Sequence, residues 1–394
     1  MARIILIACL FHFIFASTPP EAKYTPLQMI TSAGYPGESH SVTTRDGYVL
    51  GLQRISYGRT GKTNATRPVI FLQHGLLCAS TNWITNGPSD SLGFILADAG
   101  FDVWLGNVRG NTYSREHVKY NPDKDKEFWD FSFDEHALID LPTMIDYALS
   151  VSGQNSTYYV GHSQGTMMGF AGFSSNATLA SKIRGFFALA PVSTVKDIEG
   201  MFAYIAKIYK VLVPFFSVTG VGEFVPNKSI IDKAGELFCF SKIEEVCGNV
   251  LFLICGFDEK NLNDSLIPVY LGHTPAGTSV QNVVHWAQMV KSGAFQMYDY
   301  GSASANKEHY NGNSTPPLYN LSQFPVPTYL FTGNKDWLAD PTDVKGLINK
   351  LNTTSNSLKG VTNIPYYEHL DFIWGIDAAE KVYKVIISYI NGSN

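Results

Sequence analysis

The sequence predicts an α/β fold: a mostly parallel central sheet flanked by helices, with one helical insertion. Three observations carry this. Short, almost unbroken apolar runs recur along the chain, segments of helical pattern lie between them, and the alternation lapses only between about Val192 and Pro327. Alternating strands and helices place the strands in parallel with crossovers on both faces, and a strand covered on both faces reads as a continuous apolar run.

In chain order, the first apolar run is Ile4 to Ala16, preceded by Arg3 and followed by Ser17-Thr18-Pro19-Pro20. A basic start, a short apolar stretch and a small-residue end describe a cleaved secretory signal over 1–16, because a membrane-spanning helix needs about 20 apolar residues. No later run is long enough to span. Gly37 to Arg54 alternates polar and apolar residues around Asp46-Gly47, a hairpin signal. The runs Val69–Leu72, Phe101–Leu105, Thr157–Val160, Phe186–Leu189 and Tyr329–Phe331 read as buried strands. Ser91 to Ala99 and Pro142 to Val151 read as helices, the second with Pro in its first turn and Gly153 beyond its end.

The insertion holds an aromatic, amphipathic run from Met201 to Phe216, then three cysteines, then a Gly/Ser/Asn/Pro-rich stretch from Ser292 to Pro317. It reads as a cap or lid over 192–326, dividing one α/β core into 17–191 and 327–394. The chain has 394 residues, 45% hydrophobic and 16% charged, with net charge −5. That composition excludes a disordered chain and a disulfide-stapled miniprotein. Its basic residues are dispersed, so no nucleic-acid partner is expected.

Nine Asn-x-Ser/Thr sequons occur, at Asn64, Asn155, Asn176, Asn227, Asn263, Asn313, Asn320, Asn352 and Asn391. Chance would give roughly 3 to 4, so the excess points to a glycosylated chain of the secretory route, lysosomal or secreted. Of the five cysteines, Cys9 leaves with the signal, and Cys78, Cys239, Cys247 and Cys255 remain. Cys239 and Cys247 would close a short loop and are the favoured disulfide, although four cysteines allow three full pairings. The histidines are scattered and no zinc-type spacing occurs, so neither a metal nor a cofactor is expected.

The chemistry centres on Gly161-His162-Ser163-Gln164-Gly165, between the strand ending at Val160 and a helix opening around Thr166. This is a nucleophile elbow, in which flanking small residues let the chain turn sharply and lift a strained Ser above the sheet. A serine hydroxyl needs a base to take its proton and an anion to orient that base, in the chain order Ser, acid, His. Asp336 follows the strand Tyr329–Phe331 and is placed to be the acid. Its competitor, Asp340, precedes Pro341 and reads as the cap of a helix over Val344 to Leu351. His369 is the sole histidine after Asp336 and is the candidate base. His162 reads as structural. The amides of Leu76, in Gln73-His74-Gly75-Leu76-Leu77, and of Gln164 are candidate donors to an oxyanion.

These segments, with Asp98–Asn107, His273–Asn282 and His369-Leu370-Asp371-Phe372-Ile373-Trp374-Gly375, resemble the acid lipase family of gastric and lysosomal acid lipases from about Pro26 to the C-terminus. The resemblance implies an α/β-hydrolase core with a helical cap, hydrolysing triacylglycerols or cholesteryl esters at acidic pH. Matched residue by residue, the family's nucleophile falls on Ser163, its acid on Asp336, its base on His369 and its oxyanion donors on Leu76 and Gln164. One departure is that Cys239 and Cys247 stand one residue closer than in the family, whereas Cys247 and Cys255 keep its spacing. The implied partners are neutral lipid esters and the lipid–water interface, with a monomer favoured. The alternatives are a carboxylesterase or phospholipase of the same fold, or a non-catalytic lipid-binding protein that kept the fold alone.

Overall fold

The computed structural model describes residues 18–63, 65–199, 203, 207, 222–224 and 260–392. The expected signal segment, the sequons at Asn64 and Asn227, nearly all of the Met201–Phe216 run, and Cys239, Cys247 and Cys255 lie outside the described residues.

A nine-stranded sheet forms the centre of the fold. An antiparallel hairpin, β1 (Gly37–Thr43) and β2 (Tyr48–Ile55), leads in. It turns at Asp46-Gly47, where Gly47 has φ +102°, a conformation that side chains with a Cβ resist. Then follow β3 (Val69–Gln73), β4 (Asp102–Gly106), the two-residue β5 (Glu116–His117), β6 (Thr157–His162) and β7 (Ile183–Leu189). A separate antiparallel pair, β8 (Glu223–Phe224) with β9 (Thr278–Ser279), stands apart from the main sheet. The main sheet is completed by β10 (Thr328–Gly333) and β11 (Leu358–Ile364). Its order is β1-β2-β4-β3-β6-β7-β10-β11, with β5 against β2, and every pairing from β4 to β11 is parallel.

Every residue of β3, β4 and β6 is buried, as the unbroken apolar runs require when both faces are covered. β1 and β11 lie at the edges and alternate between exposed and half-buried. That position explains why β11 left no strong trace in the sequence: Leu358-Lys359-Gly360-Val361-Thr362-Asn363-Ile364 has one wet face, a Gly and an Asn.

Four helices matter for the site. α1 (Leu141–Ser152) has Pro142 in its first turn and ends on Gly153 at φ +65°, a left-handed cap. α2 (Gln164–Ser175) begins directly on the residue after Ser163, two positions earlier than the sequence suggested, and ten of its residues are buried. α3 (Val280–Ser292) lies between β9 and β10 in the chain, capped by the Ser279 side chain. α4 (Pro341–Thr353) starts earlier than the expected Val344, and Asp340 does cap it, accepting from the Thr342 amide at 2.7 Å.

β7 and β10 are neighbours in the sheet, with Leu189 registered on Phe331, although residues 190–327 separate them in sequence. The chain between them contributes no strand to the main sheet among the described residues. No helix among the described residues is long and apolar enough to cross a membrane.

Strand order also fixes where chemistry can gather. From β3 the chain passes to β4 on one side, and it returns to place β6 on the other. A crevice opens at the carboxyl ends where such connections diverge.

Candidate active site

Gln73, the last residue of β3, lies beside Gly161 of β6, so the loops leaving these two strands emerge together at the divergence point. Leu76 stands on the first loop and Ser163 on the second. Ser163 has φ +54° and ψ −122°, a conformation costly for a residue with a side chain and expected at a sharp strand-to-helix turn. Close packing accounts for the glycines around it. A Cβ on Gly165 would stand 2.3 Å from the Gln73 carbonyl oxygen, and one on Gly75 would stand 2.9 Å from the Ser163 Cβ.

Asp336 follows β10, and His369 follows β11, the adjacent parallel strand. Ser163, Asp336 and His369 are all buried. His369 Nε2 lies 2.7 Å from Ser163 Oγ, and its Nδ1 lies 2.9 and 3.0 Å from the two oxygens of Asp336. Asp336 Oδ1 also accepts from the amides of Leu338 and Ala339, at 2.9 and 2.8 Å. A carboxylate that already accepts from two backbone N–H groups has no proton to offer the ring. Nδ1 of His369 therefore carries the ring proton, and the Nε2 lone pair faces the Ser163 hydroxyl.

His162 ties the elbow to His369: its Nε2 donates to the His369 carbonyl at 2.9 Å. Burial, with the His369 ring as a further contribution, pushes the His162 pKa down to about 3, so it stays neutral in this role.

His74 shapes the other side. Its Nε2 accepts from the Val108 amide at 3.3 Å and from Asn111 Nδ2 at 3.2 Å, so the proton sits on Nδ1 and is donated to the Gly75 carbonyl at 2.8 Å. That carbonyl and the Leu76 N–H belong to one trans peptide and point in opposite directions. Holding the first therefore aims the second. Burial lowers the His74 pKa to about 4 and preserves the tautomer in weak acid. Among the described residues the Leu76 and Gln164 amides donate to no other group. The Gln164 amide is also the first N–H of α2, which an α-helix leaves unpaired.

The α/β hydrolase fold family matches residues 68–376, and the partial α/β-hydrolase lipase region matches residues 27–87. Gastric triacylglycerol lipase of Mus musculus is 51% identical over 371 residues, covering 94% of this chain and 92% of that protein. Lysosomal acid lipase/cholesteryl ester hydrolase of Homo sapiens is 47% identical, covering 94% and 91%. The chain belongs to the acid lipase family. Among solved structures, an epoxide hydrolase of Vigna radiata superposes with TM-score 0.52 at 15% identity, covering 90% of this chain and 98% of that one. This acid lipase homologue therefore shares its fold with enzymes of other chemistry, and its reaction has to be argued from the site.

Other groups lie around the acid lipase site that the sequence did not reveal. His136, Asn282 and Trp286 surround the Gln164 side chain, and all three are buried. They stand 28 to 122 residues from it in the chain, so no local motif could announce them. Of the sequons, Asn155, Asn263, Asn313, Asn320, Asn352 and Asn391 are exposed, and Asn176 is half-buried with its side-chain oxygen accepting from Leu179 N. Cys78 is buried with a free thiol, and burial pushes its pKa up to about 12, so it is an inert core residue.

Proposed function

We propose that this chain is a secretory-pathway acid lipase that hydrolyses the ester bonds of triacylglycerols or cholesteryl esters through an acyl-enzyme on Ser163. The observation that carries the roles is the continuous hydrogen-bond path from Asp336 through His369 to Ser163. His369 takes the hydroxyl proton as Ser163 attacks the ester carbonyl, and Asp336 stabilises the imidazolium that forms. The oxyanion accepts from the Leu76 and Gln164 amides, and His369 returns its proton to the leaving alcohol. Water then enters, gives a proton to His369, attacks the acyl carbon and releases the fatty acid with Ser163 restored.

The substrate class follows the relatives, whose names are triacylglycerol lipase and cholesteryl ester hydrolase. Residues 192–326 are the cap under this reading, and the apolar run from Met201 is the part that meets a lipid surface. Exposed sequons suit a glycosylated chain, lysosomal or secreted. The test is ester hydrolysis across pH on an emulsified long-chain triacylglycerol, a cholesteryl ester and a soluble short-chain ester, with Ser163→Ala as control. Loss of activity in the variant and preference for the long-chain substrates are expected. Full activity without the Ser163 hydroxyl would overturn the mechanism. A preference for the soluble ester would replace lipase by carboxylesterase, and no turnover of any ester would leave a lipid-binding protein.

A further inference from the structure

Gln164 has two ends with different tasks. Its amide is one of the two oxyanion donors in the reading above, while its carboxamide is buried among three polar partners. Oε1 accepts from Trp286 Nε1 at 2.7 Å and from Asn282 Nδ2 at 3.0 Å. Nε2 lies 3.2 Å from His136 Nδ1. Trp286 and Asn282 are on α3, which belongs to the segment between β7 and β10, whereas His136 stands just ahead of α1.

The protons in this cluster can be assigned without ambiguity. An indole N–H only donates, so the Gln164 oxygen faces Trp286 and its NH2 faces His136. An amide NH2 also only donates, so His136 Nδ1 presents a lone pair and the ring is neutral. Burial, with the Arg109 charge next, holds the His136 pKa well below 6.5, so the arrangement survives acid.

The backbone at this point needs holding. Ser163 sits at φ +54°, and its ψ sets the direction of the Gln164 N–H, because both belong to the peptide that joins the two residues. Such a conformation persists only where the surroundings over-determine it. The elbow hydrogen bonds Ser163 N to Leu189 O and Thr166 N to Ser163 O fix the residues on either side. The carboxamide cluster is what fixes Gln164 itself.

We propose that Trp286, Asn282 and His136 are positioning residues that hold Gln164 so that its N–H meets the oxyanion together with the Leu76 N–H. A helix outside the main sheet thereby becomes part of the transition-state site. This inference rests on the assignment of Ser163 and its two donors.

The test uses the full-length protein with a soluble chromogenic ester, so that lipid adsorption does not enter. Trp286→Phe keeps an aromatic ring, smaller than the indole, and removes the donor. It is expected to slow acylation by about 10-fold with KM changed less than about 2-fold, and to weaken a boronic-acid transition-state analogue in proportion. Gln164→Glu supplies the discriminating readout. Protonated, its carboxyl can donate to His136 as the amide does; ionised, it draws the His136 proton to Nδ1 and sets a buried negative charge beside the forming oxyanion. Its activity should therefore recover in acid and fall along a new limb as pH rises, whereas Gln164→Met should stay low at every pH. Labelling of Ser163 by a phosphonate reports folding in each variant. Unchanged acylation and analogue binding in Trp286→Phe, or no new limb in Gln164→Glu, with Ser163 fully labelled, would overturn this inference alone. Hydrolysis surviving in Ser163→Ala would instead remove the mechanism on which it rests.

Discussion

Replacing Asp134 by Asn should change how stability depends on pH. The Asp134 carboxylate is buried, and it joins the core to the chain just before β10. Oδ1 accepts from the Tyr319 hydroxyl, Oδ2 accepts from the Tyr298 amide at 2.9 Å, and His285 Nδ1 lies 4.0 Å from Oδ2. His285 Nε2 donates to the Gln296 carbonyl at 2.9 Å, and burial pushes the ring pKa down to about 4, so Nδ1 is a lone pair facing the carboxylate. Glu135 is adjacent, and the hydroxyls of Tyr300 and Tyr310 are nearby but neutral. Among the described residues no Lys or Arg forms an ion pair with this carboxyl. Burial raises Asp134 to about 6, and it raises Glu135 to about 7 with the Asp134 charge adding to the effect. The two titrate as a pair.

A carboxyl whose folded pKa lies above its unfolded value binds more protons when folded, so stability is greatest in acid and falls as pH rises through the window from about 4 to about 7. A shift from 3.8 to about 6 corresponds to roughly 3 kcal/mol as an upper bound, and sharing with Glu135 reduces it to on the order of 1–3 kcal/mol. Asn can accept from Tyr298 N–H and donate to the Tyr319 oxygen without carrying charge. Asp134→Asn should therefore lie near the wild type at about pH 4.5 and exceed it by on the order of 1–3 kcal/mol at about pH 7.5. Urea unfolding at both pH values, scored as the variant-minus-wild-type difference, isolates this pair from every other titrating group. A difference that stays constant or shrinks as pH rises would refute the reasoning.

Two further outcomes are expected. Gly165→Ala must push its Cβ against the Gln73 and His74 carbonyls, at 2.3 and 2.9 Å. It should destabilise the fold by about 1–3 kcal/mol and lower kcat more than KM rises, measured by thermal unfolding and by steady-state kinetics on a soluble ester. Asn176→Ala removes a helix cap and should cost about 0.5–2 kcal/mol in protein made without glycans, whereas Asn155→Ala should cost little there and shift only the mass of glycosylated protein.

Much of the architecture was legible because it depends on local pattern. Buried parallel strands leave unbroken apolar runs, Asp46-Gly47 marks a turn, and the Gly161–Gly165 stretch needs its small residues wherever the elbow occurs. The edge strand β11 was not legible, since one face is wet and its composition resembles a loop. His162 was read as structural, and the tertiary contact refines that: it holds the main chain of His369, 207 residues away.

The sequence by itself determined the strand–helix alternation, the elbow serine, and the chain order that made Asp336 and His369 candidates. These follow from periodicity, backbone sterics and the chemistry of a serine nucleophile. Only the tertiary structure decided which groups surround them: His74 aiming the Leu76 peptide, Trp286, Asn282 and His136 around Gln164, and Asp134 facing His285. The physical reason is that hydrogen-bond direction, tautomer and burial are properties of pairs brought together by the sheet. Residues that meet across 28 positions or more leave no mark in the local sequence of either partner.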